Sequence, residues 1–166
     1  MLRKAVPVFI GLTAVITVLM ANAVATPPST TIVAQTYRGT FAKDLNLETK
    51  FEDDVEVEIE TEGPIELITQ RLEAPVGATF GWHSHPGENV NVMAQGILTL
   101  YHDEKCTKGI TYGVGSAFTT SPDQIHLARN LGTEPVVLFA TYFAPKKTPP
   151  VPIRIDAPLP GPGCPQ

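Results

Sequence analysis

The twenty residues from Gly77 to Gly96 decide how this chain is read: Gly-Ala-Thr-Phe-Gly-Trp-His-Ser-His-Pro-Gly-Glu-Asn-Val-Asn-Val-Met-Ala-Gln-Gly. Side chains in a strand alternate between two faces, so His83 and His85 share one face and both can reach a single metal ion. Pro86 and Gly87 then turn the chain. A second stretch, Ser121-Pro122-Asp123-Gln124-Ile125-His126-Leu127-Ala128-Arg129-Asn130, offers one more histidine, with Ala128 and Asn130 on the same face. Alone, H-x-H is a weak signal, and a lone histidine is more often a hydrogen-bonded structural residue than a ligand. Their combination in one β-rich chain points to a metal site.

The surroundings read as strands. From Val55 to Glu62 apolar residues and Thr61 alternate strictly with Glu56, Glu58, Glu60 and Glu62, which predicts a strand with one face on a core and one in water. The glutamate row is read as a guard against edge-to-edge pairing. Further strand-like runs are Ile65–Leu72, Val90–Gln95, Ile97–Tyr101, Ser116–Thr119, His126–Asn130 and Val136–Phe143. Gly, Pro, Asp and Asn separate them at short intervals, the pattern of an all-β sandwich or barrel. The 166 residues, 43% of them hydrophobic, suffice for one core. Twelve bases against seventeen acids give a net charge of −5, which argues against a nucleic-acid partner, because affinity there comes from Lys and Arg on phosphates. Four histidines and two cysteines exclude multi-metal sites and disulfide-dense mini-folds.

The ends read differently. Arg3 and Lys4 precede an uncharged stretch from Ala5 to Ala25 that closes on Ala21-Asn22-Ala23-Val24-Ala25. This describes a secretory signal peptide over residues 1–25, cut after Ala25 or, as second choice, Ala23. A retained membrane anchor is the alternative. Loss of Arg3 and Lys4 with the leader leaves ten bases against seventeen acids, a net −7. The protein is expected to be secreted or periplasmic, with no stable membrane insertion once the leader is removed. In such a compartment Cys106 and Cys164 read as a disulfide. Eight of the twenty-two residues from Pro145 to Gln166 are proline, so residues 144–166 read as an extended tail that the bond would pin to the body.

The spacing of both stretches resembles the cupin family. Its first motif, G-x5-H-x-H-x3/4-E-x6-G, meets Gly77, His83, His85 and Gly96, and its second, G-x5-P-x-G-x2-H-x3-N, meets Gly115, His126 and Asn130. The resemblance, closest to small single-domain cupins with a leader, implies an all-β double-stranded β-helix, or jelly roll, over residues 26–143. It also implies one divalent transition-metal ion (Fe, Mn, Cu, Ni or Zn) on His83, His85 and His126. The chain departs from the family at Asn89, where the metal-binding glutamate belongs, and at Ser121 and Asp123, which replace the proline and glycine. The fourth ligand is therefore water, Asn89, or Glu88 if a bulge turns it inward. His102 lies outside both motifs and reads as a solvated surface residue.

Strand parity places Asn89, Asn91, Met93, Ala128 and Asn130 inside with the histidines, and Val90, Val92, Ile125 and Leu127 outside. That apolar outer side needs a cover: an N-terminal strand, the proline tail, or a second subunit in a homodimer. The lumen suits a small polar ligand. Three functions compete: a metal-binding cupin that takes a small-molecule ligand, a three-histidine metal dioxygenase, and a metal-free structural or carbohydrate-binding module.

Overall fold

The computed structural model describes residues 25–103 and 106–166, so the expected leader, apart from Ala25, lies outside the described residues. Among these residues there are twelve strands and no α-helix. In chain order they are β1 (Val33–Phe41), β2 (Asn46–Lys50), β3 (Glu56–Glu60), β4 (Ile65–Ala74), β5 (His83–Ser84) and β6 (Asn89–Gln95). There follow β7 (Leu98–His102), β8 (Ile110–Tyr112), β9 (Ala117–Thr120), β10 (His126–Arg129), β11 (Val136–Pro145) and β12 (Ile155–Asp156).

One sheet has the order β1-β4-β11-β6-β9 and the other β12-β5-β10-β7-β8. From β4 onward every connection except β7 to β8 carries the chain from one sheet to the other, as a jelly roll requires. The core fills the space between: Ile68, Leu72, Met93, Leu98, Leu100, Val136 and Leu138 are buried. Parity holds along β6, where Asn89, Asn91 and Met93 are buried and Val90 and Val92 exposed. Gly96 closes the turn after β6 at φ 73°, where a Cβ would meet the Pro135 carbonyl oxygen at 2.7 Å, so only glycine fits there. Asp123, standing where the family pattern has glycine, keeps a glycine-like backbone at φ 57°. Asp is among the few residues that tolerate this region.

Two expectations are corrected. The alternating run at Val55–Glu62 does form a strand, β3, but it pairs only with β2 in a separate two-stranded sheet. Val55 and Val57 are 54% and 45% exposed. Period two creates an apolar face without specifying what covers it, and neither β2 nor the main sheets do so. His102 is half-buried rather than solvated. Strand β7 runs through it, on the same parity as Leu98 and Leu100, and sets it opposite His126.

The tail does more than lie extended. Its residues Ile155–Asp156 pair with Ser84 and His83 as the edge strand of the second sheet. Behind that sheet Trp82, Leu127 and Ala157 are buried together, with Tyr101, Cys106, Ile125, Leu159 and Cys164 packed around them. Thr26 joins the same region: its N–H donates to the Ala157 carbonyl and its Oγ1 accepts from the Trp82 N–H at 2.7 Å.

Candidate metal centre

His83 lies in β5, His85 follows it by two residues, and His126 opens β10 directly opposite His83 in the register. The three rings converge, with centroid separations of 4.3 Å for His83–His126, 4.9 Å for His83–His85 and 5.1 Å for His85–His126. One ligand nitrogen from each lies within 4.8 Å of the others, so the three histidines are positioned to hold a metal ion. All are buried, at 5%, 4% and 3% exposure.

Each ring is held by its Nδ1. His83 Nδ1 meets the Gly81 carbonyl at 2.8 Å, His126 Nδ1 the Gln124 carbonyl at 2.8 Å, and His85 Nδ1 the Ile153 carbonyl at 2.6 Å. A carbonyl oxygen only accepts, so each Nδ1 carries the hydrogen and each Nε2 keeps its lone pair. This is the orientation that ligating histidines need. Two of the carbonyls lie two residues before the ring they hold, so local backbone sets those rings. The third comes from the tail.

Burial pushes the His83 pKa well below the usual histidine value, with the neighbouring His126 adding to the effect. Burial also lowers His85, and lowers His126 to about 4. The imidazoles are therefore neutral at neutral pH, the form that binds metal.

Glu88 and Asn89 fall on opposite sides. Glu88 is exposed, because β6 is already regular at Asn89 and no bulge turns the preceding residue inward. Asn89 is buried, but its Oδ1 accepts from Thr120 Oγ1 at 2.8 Å, Thr120 N at 3.1 Å and Asn91 Nδ2 at 3.0 Å. The two bonds from Thr120 tie β6 to β9. Asn130 is buried too, and it braces the turn after β10, donating to the Ala74 and Glu134 carbonyls and accepting from Gly132 N.

The histidines line two adjoining spaces. An inner chamber of about 40 Å³ touches all three, together with Asn89, Asn91, Phe118 and Thr120. An outer cavity of about 260 Å³ shares His83, His85, Phe80 and Tyr142 with it and adds Ser29, Gln70, Ile153 and Arg154. Burial raises the Tyr142 hydroxyl to about 12, so it stays protonated. The tail residues Ile153 and Arg154 escaped the sequence reading. Their signal was the short alternation Ile153-Arg154-Ile155-Asp156, which the surrounding prolines masked as mere covering.

Cys106 and Cys164 lie at disulfide distance, Cα to Cα 5.0 Å across 58 residues, which fits an oxidising compartment. Among the described residues no helix is long and apolar enough to cross a membrane.

Residues 70–142 match the family described as cupin domain. No curated protein is significantly similar to the chain. Among solved structures, an oxalate oxidase is similar at 17% identity over 46% of this chain and 41% of its own, with a TM-score of 0.42. A Cupin 2 conserved barrel domain protein from Salinispora arenicola is 17% identical over 46% of this chain and 61% of its own, at TM-score 0.41. An uncharacterized protein with a double-stranded β-helix domain from Klebsiella pneumoniae is 18% identical over 69% of this chain and 84% of its own, at TM-score 0.45. The chain thus spans less than two thirds of the first two. The jelly-roll assignment stands on the strand order and the family match.

Proposed function

We propose that the protein binds one divalent transition-metal ion through His83, His85 and His126, with a small polar ligand beside it, a reading that the match of residues 70–142 to the cupin domain supports. The observation that carries this reading is the trio of Nδ1–carbonyl bonds, which turn three neutral Nε2 atoms to one use. Asn89 is spent on Thr120 and Asn91, so the remaining coordination positions fall to water or ligand. Iron, manganese, copper, nickel and zinc all accept imidazole, and any of them would supply Lewis-acid polarisation, all but zinc also redox chemistry. The protein works outside the cytoplasm, exported by residues 1–25 and cross-linked at Cys106 and Cys164.

Elemental analysis of untagged protein tests the site. Wild type should carry about one metal ion per chain, His126→Ala should carry none, and Glu88→Gln should match wild type because that side chain is exposed. Stoichiometric metal in His126→Ala would place the site elsewhere and end this reading. A second reading, a three-histidine dioxygenase, is favoured by the donor group itself, which consists of three neutral imidazoles. They leave the metal's charge high toward O₂ and substrate. Oxygen uptake with a panel of thiols, diketones and phenols separates it from simple ligand binding.

A further inference from the structure

The outer cavity holds a cation that metal binding does not use. Arg154 sits in the tail between Ile153, whose carbonyl holds His85, and Ile155, which opens β12. Its Nε donates to Asp156 Oδ1 at 2.6 Å, while its Nη2 is buried with no hydrogen-bond partner among the described residues. A buried guanidinium N–H without an acceptor is costly, more so than a neutral one. Burial lowers the Arg154 pKa, and Asp156 opposes that shift, yet arginine remains charged at any working pH.

The same side chain lines the cavity of about 260 Å³ beside His83 and His85, with Ser29, Gln70 and Tyr142 around it and no carboxylate in its wall. Three neutral imidazoles do nothing to offset a divalent ion. With metal bound, the cavity would face two sources of positive charge, of which Asp156 offsets only part of one. Such a space selects an anion. A planar carboxylate matches a guanidinium edge through two parallel hydrogen bonds, and it is smaller than a phosphate ester. The volume is below the roughly 300–1,000 Å³ of drug-sized sites, which limits the guest to a few carbons.

We propose that the cavity takes a small carboxylic acid, its carboxylate on Arg154 and its second oxygen function toward the three histidines. The second half of that statement rests on the metal reading above; the first half does not. Arg154 is then the residue that selects the acid, supplied by the tail rather than by the barrel.

Calorimetric titration with malonate, and with its uncharged diamide malonamide, tests this on the full chain, both zinc-loaded and zinc-free. Wild type should bind malonate and not malonamide. Arg154→Gln should weaken malonate by about tenfold or more, Arg154→Lys should recover part of the loss, and both variants should keep wild-type zinc content and melting temperature. Malonate affinity within twofold of wild type in Arg154→Gln, or equal binding of malonamide, overturns the proposal while leaving the metal reading intact. If wild type takes up no zinc, the metal reading fails, and the zinc-free titrations still decide the role of Arg154. Failure of wild type to bind malonate in both forms also overturns it.

Discussion

Behind the sheet that carries the histidines, Trp82 and Leu127 are wholly buried, whereas on the outside of the other sheet Val90, Val92 and Phe139 are 41%, 46% and 42% exposed. The two outer faces come from the same alternation, and the strands on both put apolar side chains outward. What separates them is the tail. It lays Ala157, Leu159 and Cys164 over the first face and leaves the second bare. The covered face is also the back of the three-histidine cluster, and the tail that seals it supplies the Ile153 carbonyl to His85 and Arg154 to the cavity. Cover and site construction are thus one piece of chain.

The largest expected effect comes from breaking the seal at its centre. Trp82 is wholly buried, and its Nε1 donates to the Pro165 carbonyl at 2.8 Å. Trp82→Ala should cost about 3–5 kcal/mol in urea unfolding, as large-to-small changes in a closed site do. A loss below about 1 kcal/mol would mean that the tail does not seal this face, and the contrast between the sheets would disappear.

Releasing the tail's far end should cost less. In the chain-entropy account a crosslink across 58 residues is worth about 4 kcal/mol before native strain is subtracted. Cys164→Ser should therefore lower stability by about 2–4 kcal/mol and shift Trp82 fluorescence to the red as water reaches the ring. Unchanged stability and emission would show that packing alone holds the tail down.

Much of this was legible in the residues, and the reason differs by element. The H-x-H spacing and the parity of Asn89, Asn91 and Met93 are local consequences of a strand, so they read directly. The positive φ at Gly77, Gly96 and Gly115 is likewise a local demand that only glycine meets cheaply. The fate of an apolar face is a tertiary matter. Nothing between Val55 and Glu62 says that β3 would stand apart with β2, and nothing in Val90 or Leu127 says which would be covered. Glu88 reads as a possible ligand because a bulge cannot be read from composition, and in the structure it is exposed. Arg154 is hidden for the opposite reason: prolines on either side disguise the short strand Ile155–Asp156 that it precedes.

The smallest expected effect tests the bare face. Its strand residues include one ion pair, Arg71 with Glu73 at 3.0 Å, in a field of Tyr37, Leu67, Phe139, Phe143, Val90 and Val92. Val92→Thr keeps shape and strand preference while adding a hydroxyl, so at 46% exposure it should change stability by no more than about 0.5 kcal/mol. Urea unfolding at two protein concentrations a hundredfold apart checks this. A cost above about 1 kcal/mol that grows with concentration would show a second copy of the chain on this face. The two sheets would then differ in the source of their cover, the chain's own tail on one side and a partner on the other, and Trp82 and Val92 would be buried by the same physical need.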